Sequence, residues 1–83
     1  MKQIARSPKQ IGEALQRARK LQKLSQAEVG FRSGFRQATI SSIESGDAGT
    51  QLKTLTSVLA TLGLELVIQP REGDGQVDLE EIF

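Results

Sequence analysis

The stretch that decides the fold is LSQAEVGFRSGFRQATISSIESG, residues 24–46. Its pattern predicts two short helices separated by a turn. Ser25 can cap the first helix through its hydroxyl, and Glu28 can bond back to the cap's amide, which is the capping-box arrangement. Gly34 ends this helix because glycine enters the left-handed region without a Cβ penalty. The second helix is predicted to start near Gln37.

The second of these helices has a small, polar outer face. At about 100° per residue, Ile40 and Ile43 fall on one side, which we expect to turn inward. The opposite side carries Gln37, Ala38, Ser41, Ser42 and Ser45. A helix with so slim a face fits the major groove of DNA, which is roughly 12 Å wide. The alternative is an ordinary solvated helix, since glutamine and serine are common surface residues.

Side chains near the start of this helix are suited to contacts with DNA. The amide of Gln37 offers a donor and an acceptor together, which matches N6 and N7 of adenine. Ala38 or the methyl group of Thr39 can contact a thymine methyl group. Arg36 just before the helix is the best candidate for a base or phosphate contact, and Lys23 is a second candidate. A solvated charge without a DNA contact is the alternative for both cations.

A longer pattern surrounds this stretch, IGEALQRARKLQKLSQAEVGFRSGFRQATISSIESG at residues 11–46. Its marks are the spacing of Ile11, Leu15 and Arg19, the Ser25-Gln26 pair, and the closing ATISSIESG. In these features the chain resembles the Xre/Cro-type helix-turn-helix family over roughly residues 11–64. The resemblance implies an all-α, lambda-repressor-like domain of four to five helices that binds double-stranded operator DNA.

The resemblance also implies roles for individual residues. Gln26 matches a glutamine that binds a DNA phosphate at the start of its helix. Gln37, Ala38 and the polar positions that follow, including Ser41 and Ser42, match residues that read bases. Arg19 matches a residue that often forms an internal ion pair with an acid such as Glu44, which is its alternative to a DNA contact.

Two positions depart from the family pattern within the first helix of the motif. Gly30 stands where alanine is usual, and Phe31 stands where a polar residue is common. Glycine inside a helix costs roughly 0.5–1 kcal/mol relative to alanine. We therefore expect this helix to be looser than in other members of the family.

Composition excludes several classes of protein. The 83 residues include neither cysteine nor histidine, so the usual zinc and nucleophile–base arrangements are impossible. We predict no metal, no cofactor, no small-molecule substrate and no enzymatic activity. No apolar run approaches the ~20 residues of a membrane span, and the N-terminus lacks a signal-peptide core, so we expect a cytoplasmic protein. So short a chain is near the lower limit for folding alone, which favours an oligomer.

Charge divides the chain into two parts. Residues 1–71 contain eleven Lys or Arg and five Asp or Glu, giving +6, whereas residues 72–83 contain five acids and no base, giving −5. The basic part suits a phosphate backbone, and we predict that residues 1–71 form the DNA-binding domain. Residues 72–83 are predicted to be an acidic, disordered tail.

The acidic tail ends in apolar residues. Leu79, Ile82 and Phe83 are spaced for one face of a helical turn or for insertion into a pocket. They are candidate docking residues for a protein partner, or the tail is an acidic strip that competes with DNA for the basic surface. A terminus without a role is the alternative.

Flanking segments are predicted to be helical scaffold. Ser7-Pro8 reads as an N-cap followed by a first-turn proline, ahead of an apolar stripe of Ile11, Leu15 and Ala18. Thr50 is predicted to cap a last helix that ends at Gly63. Its apolar stripe is Leu52, Leu55, Leu59 and Leu62. A leucine zipper is the alternative for this stripe, but the segment is too short for the three or four heptads that a zipper requires.

The period changes after Gly63. Leu64, Leu66 and Ile68 alternate with Glu65, Val67 and Gln69 before Pro70, which predicts a strand over residues 64–69. Such a strand needs a partner, and the same strand of a second chain would bury Leu64, Leu66, Val67 and Ile68 in a homodimer. The second helix of the motif in each subunit would then contact one DNA half-site, and the two half-sites would lie about 34 Å apart. Pairing with residues 3–5 of the same chain is the alternative.

The segment LGLELVIQPR, residues 62–71, is similar to the dimerising strand of HipB-like antitoxins. This resemblance implies an antitoxin that represses its own operon and binds a HipA-like serine/threonine kinase toxin. One alternative is a stand-alone Xre-family regulator whose partner is DNA alone. Another is a protein-interaction module that has lost DNA binding.

Overall fold

Four helices account for the regular structure of residues 2–71, which are the residues that the computed structural model describes. They are α1 (Pro8–Leu21), α2 (Gln26–Ser33), α3 (Gln37–Glu44) and α4 (Leu52–Thr61). The predicted all-α helix-turn-helix fold is confirmed. None of these helices combines the length and the apolar character required to cross a bilayer.

The first two helices begin where their capping residues predict. The Gln10 amide donates to Ser7 Oγ at 3.1 Å, and Pro8 occupies the first turn of α1. At the start of α2, the Glu28 amide donates to Ser25 Oγ at 3.0 Å and the Ser25 amide donates to Glu28 Oε1 at 3.1 Å. That second bond from the Ser25 amide lowers the pKa of the Glu28 carboxyl. The predicted capping box is therefore present.

The last helix begins one residue later than predicted. Its N-cap is Gln51, whose side chain makes no capping bond, and the prediction of Thr50 as cap is wrong. The reason lies in the preceding turn, where Asp47 Oδ1 accepts the Gly49 amide at 2.8 Å and Asp47 O accepts the Thr50 amide at 3.4 Å. These bonds make Thr50 the end of the turn, and the chain enters the helix only after it.

A single apolar core lies between the four helices. Its largest fully buried side chains are Leu15, Val29, Ile40 and Val58. Leu24, Ile43, Leu59 and Leu62 complete the buried cluster, with Ile11, Phe35, Leu55 and Leu64 packed against it. The stripes predicted on α1 and α4 thus face the core, except for Leu52, which is 65% exposed at the first residue of α4.

Gly30 permits a close approach between α2 and the turn that follows it. It is buried, and a Cβ atom placed there would lie 2.7 Å from the carbonyl oxygen of Phe35. The Phe35 amide donates to Gly30 O at 2.8 Å, so the turn closes directly on this glycine. Glycine in place of the alanine that the resemblance led us to expect therefore has a packing reason, which the sequence did not reveal.

We predict that Gly30→Ala, a change toward the residue that the resemblance implies at this position, destabilises this protein. The gain in helix propensity of about 0.5–1 kcal/mol is outweighed by a backbone displacement that costs about 1–3 kcal/mol. The measurement is urea unfolding. Gly34→Asn is the control, because Gly34 has φ +82° with nothing within 4 Å of a Cβ atom placed on it, and asparagine tolerates that conformation. A stabilised Gly30→Ala variant would contradict the prediction.

Residues 64–69 do not form the predicted strand within this chain, since no strand is assigned anywhere in residues 2–71. The alternative pairing with residues 3–5 is likewise not formed. A strand needs hydrogen-bonding partners on a neighbouring segment. Leu64 packs against the core, whereas Leu66, Val67 and Ile68 are 50%, 66% and 80% exposed.

Candidate nucleic-acid interface

The outer face of α3 is polar and exposed, and its inner face is buried. Ile40 and Ile43 are 2% and 4% exposed and anchor the helix in the core. Thr39 is half-buried. The exposed positions of the helix are Gln37, Ala38, Ser41 and Ser42. The division into two faces is as the periodicity predicts, and it leaves a continuous surface of small side chains.

The turn before α3 sets where this helix begins. Gly34 adopts the left-handed conformation at the end of α2, with φ 82° and ψ 18°. Phe35 then packs against the core, which fixes the chain on the following side of the turn. Arg36 follows as the N-cap with φ −77° and ψ 155°, and α3 starts at Gln37. The exposed face of α3 is therefore positioned by one left-handed glycine and one apolar anchor.

The first turn of α3 is open to an anion. Arg36 makes no side-chain capping bond, and the helix has no acidic residue in its first turn. The amides of Thr39 and Ile40 donate to Arg36 O at 3.0 and 3.4 Å, so the helix's own ladder leaves the amides of Gln37 and Ala38 unbound. Free N–H groups, the positive end of the helix dipole and an exposed guanidinium together suit a phosphate oxygen.

A buried ion pair joins α1 to the C-terminal end of α3. Arg19 Nε and Nη2 donate to Glu44 Oε2 and Oε1 at 2.6 and 3.0 Å, while Arg19 Nη1 donates to the carbonyl of Leu24 at 2.9 Å. The two side chains are only 10% and 5% exposed. Arg19 thus has the internal role that was the alternative to a DNA contact.

Gln26 is part of the same network. Its Nε2 donates to Glu44 Oε1 at 3.1 Å, which ties the start of α2 to the end of α3. Sequence reasoning missed this bond, because the two residues are 18 positions apart and no local pattern relates them. The structure therefore places Gln26 beside the C-terminal end of α3, with Arg36 and Gln37 at the other end.

The network also determines the charge state of Glu44. Burial by itself opposes ionisation of the carboxyl. The hydrogen bonds from Arg19 and Gln26, together with the positive charge of Arg19, outweigh that effect and lower the pKa of Glu44 below its ordinary value of 4.5. The hydrogen bond to Glu44 in turn raises the pKa of Arg19. Both groups are consequently charged at neutral pH.

Lys23 lies apart from the start of α3 in the chain. It occupies the turn between α1 and α2 in a left-handed conformation with φ 59°, and its amide donates to Lys20 O at 3.0 Å. Its side chain is exposed. Arg36, Gln37 and Ala38 thus lie together at the start of α3, with Ser41 and Ser42 one turn further on, whereas Lys23 lies on a different segment, the turn between α1 and α2.

The unit formed by α2, the turn that follows it and α3 is a helix-turn-helix motif, and it identifies the family of this chain. A family model described as Helix-turn-helix (HTH_3) matches residues 15–68, a range that includes this unit. The chain belongs to that helix-turn-helix family. The Xre-type resemblance inferred from the sequence is thereby confirmed.

Curated helix-turn-helix relatives include a regulator and an antitoxin. The "Uncharacterized HTH-type transcriptional regulator y4dL" of Sinorhizobium fredii (strain NBRC 101917 / NGR234) is 39% identical over 69 residues, which cover 83% of this chain and 35% of that protein. The "Putative antitoxin HigA2" of Mycobacterium tuberculosis (strain ATCC 25618 / H37Rv) is 43% identical over 61 residues, which cover 72% of this chain and 60% of that protein. The chain thus spans only part of the length of these relatives.

The helix-turn-helix fold is also similar to that of HipB. One solved structure, the HipA-HipB-O2-O3 complex, contains a chain that superposes with a TM-score of 0.76 and is 31% identical. The match covers 82% of this chain and 96% of that chain. The likeness therefore extends over nearly all of that chain, beyond α2, its turn and α3.

Proposed function

We propose that this protein is a sequence-specific, DNA-binding transcriptional repressor, and that it is the antitoxin and autorepressor of an operon encoding a HipA-like kinase toxin. The observation that carries the first part is the small polar face of α3, with its open first turn beside Arg36. The mechanism is occupancy of an operator in the cytoplasm, without catalysis. Repression follows because a bound dimer blocks access to the promoter.

DNA reading is proposed to divide between the two ends of α3. At its start, Gln37 reads an adenine, while Ala38 and Thr39 contact a thymine methyl group. Ser41 and Ser42 extend this surface by one turn. Gln26 binds a phosphate: its amide has two N–H groups, one of which donates to Glu44 and leaves the other for a phosphate oxygen.

Gln37→Ala is expected to weaken binding to the protein's own upstream DNA by about 1–3 kcal/mol, and to leave binding to a scrambled duplex nearly unchanged. The reason is that a base contact discriminates between sequences, whereas a phosphate contact does not. The measurement is titration of both duplexes at two salt concentrations. Equal losses on both duplexes would contradict base reading by this side chain.

Arg36→Ala has a different expected signature. If the guanidinium binds a phosphate, affinity falls on both duplexes and the slope of log K against log salt concentration falls by about one. Arg17→Ala is the charge-matched control, because Arg17 is exposed on the side of α1 opposite its buried residues. Equal effects of the two variants would mean that only net charge matters, which would favour a module that no longer reads DNA.

A homodimer is proposed through residues 64–69. The exposure of Leu66, Val67 and Ile68 supports it, since three neighbouring large apolar side chains rarely stay in water without a partner. A dimer also presents two copies of α3 to two half-sites. Lys23 is retained as a candidate phosphate contact in this arrangement, from the turn between α1 and α2.

The proposed toxin partner rests on likeness to HipB and HigA2. The tail residues Leu79, Ile82 and Phe83, which lie outside the described residues, are proposed to dock on a HipA-like serine/threonine kinase. The match to y4dL supports the second candidate, a stand-alone regulator. Co-expression with the product of the neighbouring gene separates the two: a stable complex with a kinase fold supports the antitoxin, and a neighbour without such a fold supports the stand-alone regulator.

A further inference from the structure

A groove of about 820 Å³ lies on the surface formed by both ends of the described chain. Residues 2–6 form one wall and residues 63–71 form the other. The floor consists of apolar side chains of α1 and α4, namely Ile11, Ala14, Leu15, Ala18 and Leu59. Neither wall is helical or part of a strand, so residues 2–5 and 65–70 present main-chain groups that can pair with another segment.

Both walls carry large apolar side chains that remain in water. Ile4 on the first wall is 48% exposed, and Leu66 and Ile68 on the second wall are 50% and 80% exposed. Leu64 on the second wall already packs against the core. The unburied apolar surface is thus shared by two segments that are distant in sequence, which indicates a single occupant that covers both.

The first wall is basic, and the second wall carries an acidic residue near its start. The first wall contains Lys2 and Arg6, whereas the second contains Glu65 and, at its far end, Arg71. A second copy of residues 64–70, lying in the groove, would therefore bring its carboxylate to a wall that carries two cations. Since a two-fold interface uses the same surface on both subunits, each groove would receive the segment of the other chain.

We propose that residues 2–6 form part of an intermolecular interface, in which residues 64–70 of a second copy lie in this groove against Ile4 and α1. The partner segment's acidic residue pairs with Arg6 or Lys2, and its apolar side chains cover Ile4. This inference rests on the proposed dimer and adds to it a contact between the N-terminal segment of one chain and residues 64–70 of the other. The groove is incomplete as an interface until the second copy contributes its segment.

The test is the dimer dissociation constant of the full chain, measured by sedimentation equilibrium over a range of protein concentrations. Ile4→Asp is expected to raise that constant at least about tenfold, because it places a charge in an apolar contact. Leu52→Asp is the matched control. Leu52 is 65% exposed and is not among the residues that line the groove, so its variant should leave the constant unchanged.

Exchanging the charges of Arg6 and Glu65 tests the proposed ion pair between the two chains without changing any apolar side chain. Arg6→Glu and Glu65→Lys should each raise the dissociation constant severalfold, and the double variant Arg6→Glu/Glu65→Lys should recover most of the loss. All three positions tested, Ile4, Arg6 and Glu65, are exposed, so the single chain should keep its fold. Far-UV circular dichroism checks this, and if Ile4→Asp does not fold, the charge exchange decides.

The outcomes distinguish this inference from the dimer on which it rests. A wild-type chain that is monomeric at every concentration overturns both. A dimer whose constant is insensitive to Ile4→Asp and to the charge exchange overturns the role of residues 2–6 alone, and leaves a dimer held by residues 64–69. A groove that instead takes a small apolar probe, with no change in oligomeric state, also overturns the inference.

Discussion

Glu44→Ala is expected to lower the free energy of unfolding by about 3–5 kcal/mol, the loss found when one partner of a buried ion pair is removed. Arg19 would keep its charge in a site where 90% of its side-chain surface is buried, with only the Leu24 carbonyl left as acceptor. Gln26 would also lose its acceptor. The measurement is urea unfolding at neutral pH.

Two further variants test whether loss of the Arg19–Glu44 ion pair causes this decrease in the free energy of unfolding. Glu13→Ala removes an exposed carboxylate from α1 and should change stability by no more than about 0.5 kcal/mol. The double variant Arg19→Met/Glu44→Leu removes both charges and should recover much of the loss, because a buried pair can be replaced by apolar side chains at little cost. A Glu44→Ala variant as stable as Glu13→Ala would contradict the expected role of the pair.

Glu44 also makes the free energy of unfolding depend on pH. Because folding lowers the pKa of Glu44, its contribution is fully present above its unfolded pKa and is lost as pH falls through the folded pKa, below the ordinary value of 4.5. Glu28, whose pKa is also lowered, contributes in the same direction. Wild-type protein should therefore lose stability in acid more steeply than Glu44→Gln, and parallel curves would contradict this.

Gly12→Ala is expected to cost about 3 kcal/mol, at the upper end of the range for overpacking. A Cβ atom at Gly12 would lie 2.4 Å from Ile43 O and 2.6 Å from Glu44 O, which are main-chain atoms at the end of α3. A helix end cannot yield as a flexible side chain does, so α1 and α3 must separate. Urea unfolding measures the cost.

The separation of α1 and α3 in Gly12→Ala should also weaken DNA binding, because α3 is the helix proposed to contact the bases. Affinity for the upstream DNA should fall even without urea, under conditions where the variant is folded. Gly49→Ala is the control, since its Cβ atom would meet only the side-chain oxygen of Asp47, at 3.2 Å. A Gly12→Ala variant with wild-type stability and affinity would show that α3 tolerates a shift at its end.

Much of the fold was predictable because its signals are local. A capping hydroxyl bonds an amide three residues away, as at Ser7 and Ser25, so the starts of α1 and α2 follow from short patterns. Helical periodicity likewise predicts the buried side of α3 and, by exclusion, the polar side that carries the candidate reading residues. The candidate site was predictable to the extent that it lies on one helix and its N-cap.

Other features depended on packing between distant segments. The Gln26–Glu44 bond joins residues 18 positions apart, and the requirement for glycine at Gly12 comes from carbonyl groups more than thirty residues away. Thr50 has the chemistry of a cap but is held in the preceding turn. None of these relations leaves a periodic or local mark in the sequence.

The sequence by itself determined the helix-turn-helix unit of this protein, its charge asymmetry and the identity of the side chains on the outer face of α3, because caps, turns and helical period act within a few residues. Only the tertiary structure decided how α3 is held against α1, how Gln26 is tied to Glu44, and that residues 2–6 and 63–71 enclose one groove. Those features arise where segments far apart in the chain pack closely together. At such contacts, the shape and polarity of one segment determine which side chains fit on the other.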